Sequence, residues 1–101
     1  MSTNVWTWGG TFFGYIANGK LYTHRGKHVG KIVGEEIFDR NGNYLGEMRN
    51  GKRLITNKSK TNKRSSSFSP VNAGSCAKYV NYVGYVMYVG YKDFPSPEEF
   101  A

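Results

Sequence analysis

The two histidines of the chain, His24 and His28, are four residues apart, a spacing that metal sites use when both rings lie on one face of a helix. Here Arg25 and Gly26 lie between them, and this pair favours a turn. No cysteine pair or glutamate-rich stretch lies nearby to complete a ligand set. We therefore expect no metal ion and no other cofactor, and we interpret both rings as surface or stacking groups.

The other residues able to do chemistry fit no catalytic pattern. Residues 26–31, GKHVGK, have the glycines and lysine of a phosphate-binding loop, but Ile32 occupies the position where that loop needs Ser or Thr. The single Cys76 has no second cysteine to pair with, and we interpret it as a small packing residue. The acids of the first half are interpreted as solvated partners of nearby basic residues: Glu35, Glu36, Asp39 and Glu47. We expect a protein that is not an enzyme.

The basic residues are concentrated in the middle of the chain. The formal net charge of the 101 residues is +7, and residues 52–78 contain only basic charges. Such a cluster attracts phosphate-bearing and other anionic partners. The candidate anion-binding residues are Lys52, Arg53, Lys58, Lys60, Lys63, Arg64 and Lys78. A nucleic acid, a lipid headgroup and another protein are all open as the partner.

Aromatic side chains, which make up 16% of the chain, suggest a second way to bind nucleic acid. Rings exposed on a sheet form a platform on which bases stack. The candidate stacking residues are Trp6, Trp8, Phe12 and Tyr15. In the alternative interpretation the same rings form the core and its contacts with other parts of the chain.

The strongest pattern in the sequence is a repeat of 16 residues. Residues 5–16, 21–32 and 37–48 align without a gap, and each copy begins with an aliphatic and an aromatic residue and contains two glycines four positions apart. Because β-branched and aromatic residues flank the first glycine, each copy predicts a β-hairpin. The predicted two-residue corners are Gly9-Gly10, Arg25-Gly26 and Asn41-Gly42.

The two glycines of each copy have different predicted roles. The first lies at the corner, where a positive φ is cheap only for glycine. These corner glycines are Gly10, Gly26 and Gly42. The second lies in the returning strand, where a recurring glycine predicts a β-bulge or a close approach of another backbone. These strand glycines are Gly14, Gly30 and Gly46. Either both faces of the returning strand are covered, or the bulge turns an additional apolar residue inward.

A fourth hairpin is predicted from two separated strands, residues 53–56 and 79–91. Between them lies an insertion at 57–78, which is rich in Ser, Asn and Lys and predicts a long, mobile loop. Residues 92–101 predict an irregular tail that lies over the domain or is offered to a partner. Closing the hairpins on themselves would remove the open sheet edges that favour aggregation.

The second strand of this fourth hairpin has a period that a straight strand does not explain. Tyrosines recur at every third position from Tyr79 to Tyr91, whereas side chains of a strand alternate with a period of two. We expect bulges at Gly84 and Gly90 to correct the phase.

These features resemble the bacterial four-fold beta flower family. The repeat is clearest in FDRNGNYLGEM, residues 38–48, and is followed in order by RLIT, a polar insertion, a strand of Tyr, Gly and Val, and the ending DFPSPEEF. The resemblance covers nearly the full chain. It implies a small closed β architecture of four hairpin petals around a pseudo-four-fold axis, and it implies no established activity and no catalytic residues.

The sequence therefore predicts one all-β domain over residues 1–101, a closed or near-closed meander of about four hairpins. Its predicted function is that of a non-enzymatic binding module, with an anionic partner as the leading hypothesis. The alternatives are a structural or self-assembling protein and a carrier of a small hydrophobic ligand in an axial cavity. No segment resembles a signal peptide or reaches the roughly 18 apolar residues of a membrane helix, which predicts no membrane span and a cytoplasmic location.

Overall fold

The computed structural model describes residues 2–100, and its strands form one closed all-β barrel. The strands follow one another as an antiparallel meander from β1 to β8. They are β1 Ser2–Thr7, β2 Phe12–Ala17, β3 Lys20–Thr23, β4 His28–Val33, β5 Glu36–Phe38, β6 Tyr44–Arg49, β7 Arg53–Asn57 and β8 Tyr91–Asp93. The fold class predicted from the sequence is confirmed.

The barrel closes where β1 meets β7 in parallel. Trp6 lies opposite Arg53 and Thr7 lies opposite Leu54, and the amide of Trp8 donates to the carbonyl of Leu54 at 2.8 Å. Further along β7, β8 pairs with Ile55 and the two residues that follow it. The barrel therefore has seven strands, and β8 completes a fourth hairpin-like pair. We call the pairs β1–β2, β3–β4, β5–β6 and β7–β8 petals.

Each of the first three petals turns at a three-residue corner, residues 8–10, 24–26 and 40–42. The corner glycine donates its amide to the carbonyl three residues earlier, at 2.8–2.9 Å, and has a φ between +84° and +97°. A β-turn followed by a glycine of positive φ is a standard three-residue hairpin loop. The predicted two-residue corners were therefore one residue too short, because the residue before the predicted pair also belongs to the loop.

The strand glycines follow a β-bulge, one of the two roles that the sequence predicts for them. In the first petal Val5 lies opposite Gly14 but Trp6 lies opposite Phe12, so Phe13 is the additional residue. The same register shift recurs in the second and third petals. The bulge directs Phe13 into the core, and a Cβ on Gly14 would lie 2.1 Å from the carbonyl oxygen of Tyr22 on the next strand.

Apolar side chains fill the barrel axis. The core residues, all at most 7% exposed, are Val5, Phe13, Leu21, Val29, Ile37, Leu54 and Phe94. Phe94 belongs to the C-terminal segment, and its ring packs edge-on against Phe13 with 5.4 Å between centroids. The segment continues as a 3-10 turn, Pro97–Phe100, in which Pro97 is buried and Phe100 packs on the core. The C-terminal segment thus lies over the domain, which was one of the two predicted arrangements.

Residues 61–90, here called the strap, pass around the outside of the corners. They contain no regular strand or helix, only a turn at each end and an isolated bridge between Arg64 and Asn43. The predicted strand at 79–91 is therefore wrong over most of its length, and only Tyr91 and the next two residues pair with β7. The barrel edge that this strand was expected to cover is already occupied by β1, which leaves the strap outside the sheet.

The strap repeats the same contact at each corner. Three of its amides donate to the corner glycine carbonyls at 2.8–2.9 Å: Ser65 to Gly42, Ala73 to Gly26 and Tyr82 to Gly10. Three residues further along the strap, a second set of amides donates to the carbonyl of the first residue of each corner at 2.8–3.1 Å: Phe68 to Arg40, Cys76 to His24 and Tyr85 to Trp8. A Cβ on any corner glycine would lie 2.0–2.2 Å from a strap carbonyl oxygen. The strap is thus a second reason why these positions are glycine.

Candidate anion-binding surface

Lys60 and Lys63, two of the predicted anion-binding residues, are paired with carboxylates of the barrel. Lys60 lies in a short 3-10 turn, Lys58–Lys60, and its Nζ is 2.9 Å from Glu47 and 3.1 Å from Glu36. The Nζ of Lys63 lies 2.7 Å from Glu36. These lysines therefore neutralise acids of the same chain rather than face an external anion.

The pKa shifts of this cluster agree with its geometry. Hydrogen bonds from Lys63 and Lys60 hold the pKa of Glu36 below its ordinary value. Burial alone would raise the pKa of Glu47, but hydrogen bonds from Lys60 and Tyr44 lower it overall. Hydrogen bonds to Glu47 and Glu36 raise the pKa of Lys60. Glu36, Glu47 and Lys60 are therefore held in their ionised forms at neutral pH.

Arg53 is buried and is not an anion-binding residue. Only 6% of it is exposed, and its guanidinium donates to the carbonyls of Trp8 at 3.3 Å and Val83 at 3.0 Å. The same group lies over the ring of Tyr85, 4.1 Å from its centroid. Arg53 thus links β7 to the first corner and to the strap through hydrogen bonds and a cation–π contact.

Four predicted residues remain exposed and have no carboxylate within ion-pair distance in residues 2–100: Lys52, Lys58, Arg64 and Lys78. Lys52 lies in the turn that joins the third and fourth petals, at the opposite end of the strands from the corners. The other three lie beside the corners or in the strap. The structure therefore divides the predicted cluster between the two ends of the barrel.

Two basic residues within the corners were not predicted from the sequence. Arg25 and Arg40 are exposed at the corners of the second and third petals, and neither has a carboxylate partner among the described residues. Both lie within the 24–26 and 40–42 corners, so the repeat itself contained the signal. We define the corner surface as the exposed basic residues Arg25, Arg40, Lys58, Arg64 and Lys78.

The predicted stacking platform is not available to a nucleic-acid base. Trp6, Trp8 and Phe12 are at most 2% exposed. The ring of Trp6 stacks instead on Tyr82 of the strap, with 4.2 Å between centroids and planes 18° apart. Tyr15 is half-buried, stacks on Tyr22 and donates its hydroxyl to the carbonyl of Gly74 at 2.8 Å. These rings hold the strap against the barrel, as the alternative interpretation proposed.

The two histidines lie near each other in sequence, but their rings contact different residues. The ring of His28 stacks on Phe68 at 4.4 Å and accepts the amide of Val71 at its Nδ1, so its Nε2–H donates to the Gly30 carbonyl. The Nε2 of His24 is buried without a hydrogen-bond partner, 4.0 Å from Glu98. Burial lowers the pKa of both rings. Within residues 2–100, no three His, Cys, Asp or Glu side chains are grouped closely enough to hold a metal ion.

A family model described as "4-fold beta flower protein" matches residues 1–85. The closed barrel and its four petals agree with that description. The chain belongs to this family. The match includes three complete petals, β7 and the strap of this beta flower as far as Tyr85. Comparison with curated proteins and with solved structures gave no significant match. No helix in the described part of this beta flower is long and apolar enough to cross a membrane.

Proposed function

We propose that this beta flower is a non-enzymatic interaction module that binds an anionic partner through its corner surface. The observation that supports the proposal is the imbalance of unpaired charge. Of the 14 basic residues, three form ion pairs and one is buried, and the other ten have no carboxylate within 4 Å in residues 2–100. The three in ion pairs are Arg49, Lys60 and Lys63, and the buried one is Arg53.

The acids at the corner end offset part of this excess, but within residues 2–100 none of them forms an ion pair with a lysine or arginine there. Asp39 accepts the amides of Asn41 and Asn43 within its own corner, and Asp93 accepts those of Gly9 and Phe94. An excess of positive charge concentrates an anionic partner near the surface and speeds its association. The alternative of a hydrophobic-ligand carrier has little support, because side chains occupy the axis where the ligand would lie.

The experiment that tests the proposal is chromatography of the purified protein on immobilised heparin and on immobilised single-stranded DNA over a salt series. Because each contact with an anionic group releases a counterion, retention should be strong at low salt and fall steeply as salt rises. A protein that passes both columns at low salt would contradict the proposal. Light scattering on the same samples would reveal self-association, the competing hypothesis from the sequence.

A further inference from the structure

The segment Tyr79–Gly90 separates its aromatic and aliphatic residues onto opposite sides. Tyr79, Tyr82, Tyr85 and Tyr88 are 45–49% exposed, and each packs on Trp6 or Trp8. The valine that follows each tyrosine is 78–102% exposed. An extended chain with three residues per turn, as in polyproline II, places every third side chain on one side. This geometry explains the three-residue period that a strand could not.

The hydrogen bonds of the segment have the same period. The amides of Tyr82 and Tyr85 point inward and donate to the first corner. The carbonyls of Val80 and Val86 accept the indole N–H groups of Trp6 and Trp8 at 2.9 and 3.0 Å, and that of Val83 accepts from Arg53. The backbone is therefore fixed to the barrel while the valine side chains point away. We call Val80, Val83, Val86 and Val89 the valine ridge.

The valine ridge is an apolar surface that the folded chain leaves uncovered. Four valines that are each at least 78% exposed are a large apolar feature for a protein of 101 residues. Contiguous apolar surface of this kind marks interaction sites. No charged residue occurs between Tyr79 and Tyr91.

Basic residues flank both ends of the ridge. Lys78 immediately precedes Tyr79, and Lys92 lies three residues after Val89. Lys58 is also at this second end, because its amide donates to the carbonyl of Gly90 at 2.9 Å. All three lysines are exposed, and none has a carboxylate within ion-pair distance in the described part of the chain. The surface thus combines an apolar centre with positive ends.

We propose that the valine ridge and its flanking lysines dock on an anionic lipid bilayer, an inference that rests on the proposed function and specifies its partner. A bilayer offers anionic headgroups to the lysines and an apolar layer beneath them to the valines. Half-exposed tyrosines beside the ridge suit the boundary between these layers. Anchoring of this type needs two contributions, and the ridge and the lysines provide one each.

Charge complementarity favours the bilayer over a second copy of this chain and over a nucleic acid. Antiparallel packing of two ridges would place Lys78 of one copy beside Lys58 and Lys92 of the other, so like charges would meet at both ends. Nucleic acid would satisfy the lysines but would leave the valines in water, and both indoles of the chain are buried away from any stacking base. Only the bilayer has a matching layer for each part of the surface.

The test is sedimentation of the full chain with vesicles of phosphatidylcholine, with and without phosphatidylserine. The ridge variant replaces Val80, Val83, Val86 and Val89 by Thr, which keeps the β-branched shape and removes an apolar methyl group. The control makes the same substitution at the two valines that are exposed outside the ridge, Val33 at 46% and Val71 at 64%. Circular dichroism and tryptophan fluorescence check that each variant folds.

We expect the wild type to bind only the vesicles that contain phosphatidylserine, the ridge variant to lose about tenfold or more in binding, and the control to bind like the wild type. Equal binding by the ridge variant would overturn the inference. So would a wild type that binds heparin but no vesicles, and in that case the proposed function would stand. A wild type that binds neither heparin nor vesicles would contradict both the inference and the proposed function. A dimer that the ridge variant abolishes would assign the ridge to a second copy instead.

Discussion

The indole nitrogen of Trp8 donates a hydrogen bond of 3.0 Å to the carbonyl oxygen of Val86, which joins one of the most buried side chains of the barrel to one of the most exposed residues of the strap. Trp6 makes the equivalent bond to Val80 at 2.9 Å. The strap is therefore part of the folded domain. Two neighbouring strap residues should then differ sharply in their effect on stability.

Tyr82→Ala should lower the free energy of unfolding by about 2 to 4 kcal/mol, because it removes a ring that both stacks on Trp6 and contacts the guanidinium of Arg53. Val83→Ala, at the next position, should change the free energy by less than about 0.5 kcal/mol, since that side chain is 87% exposed. Urea unfolding followed by tryptophan fluorescence measures both. Equal effects of the two substitutions would show that the strap is not anchored by its tyrosines.

The corner glycines should tolerate alanine less well than other glycines of positive φ. At Gly42 a Cβ would meet the carbonyl oxygen of Ser65 at 2.1 Å, whereas at Gly34 no atom lies within 4 Å. Gly34→Ala should cost about 1 to 2 kcal/mol for its φ of +63° alone. Gly42→Ala should cost about 3 kcal/mol or more, because the strap must also move. Thermal unfolding distinguishes the two, and similar losses would contradict the close approach of the strap.

The repeat, the corner glycines and the bulges were predictable because each depends on residues that are neighbours in sequence. Glycine at a turn and an apolar residue before the strand glycine leave a local signature. The path of the strap was not predictable, because its three-residue period has meaning only when the tyrosines meet Trp6 and Trp8, more than 70 residues earlier. A strand was expected because the same residues, Tyr and Val, also favour strands.

The anion-binding residues were only partly predictable for a similar reason. The charge cluster is visible in the sequence, but Lys63 meets a carboxylate 27 positions away in Glu36, and Arg53 is enclosed by tyrosines that follow it by about 30 positions. Neither contact has a local signature. The basic residues of the corners were overlooked because they vary between copies of the repeat, although the repeat places them together.

Arg53→Lys should separate stability from anion binding. Lysine keeps the charge but cannot form both hydrogen bonds to Trp8 and Val83 or cover the Tyr85 ring as a guanidinium does. The free energy of unfolding should fall by about 1 to 3 kcal/mol. The salt concentration that elutes the protein from heparin should not change, because the wild-type side chain does not reach solvent. If this variant eluted at a lower salt concentration than the wild type, Arg53 would have to contribute to anion binding.

Lys60→Gln should destabilise the protein in a pH-dependent way. At pH 7 we expect a loss of about 1 kcal/mol, since Glu36 and Glu47 lose a partner. Because the pKa of each carboxyl is lower in the folded protein than its ordinary value of 4.5, the stabilisation is present above pH 4.5 and is lost as the pH falls through the folded pKa values. The difference between wild type and variant should therefore shrink below pH 4.5. Lys58→Gln, which removes an exposed lysine with no carboxylate within ion-pair distance in residues 2–100, is the control and should show no such trend.

The position of the basic residues, rather than the net charge, should determine anion binding. A corner variant, Lys58→Gln with Arg64→Gln, and an opposite-end variant, Lys20→Gln with Lys52→Gln, each remove two positive charges. The first pair lies beside the corners. The second lies at the opposite end of the strands, with Lys20 at the start of β3 and Lys52 in the turn before β7. Fold and stability should be nearly unchanged in both, because all four side chains lie at least partly in solvent.

The most direct measurement is the affinity of these two variants and the wild type for a fluorescent heparin oligosaccharide, determined by anisotropy over a salt series. The corner variant should bind about tenfold more weakly than the wild type at low salt. Its plot of log affinity against log salt should have a shallower slope, by the amount that corresponds to about two lost contacts with anionic groups. The opposite-end variant should stay within about twofold of the wild type. Equal losses in the two variants, or no binding by the wild type, would contradict the assignment of the corner surface as the site of anion recognition.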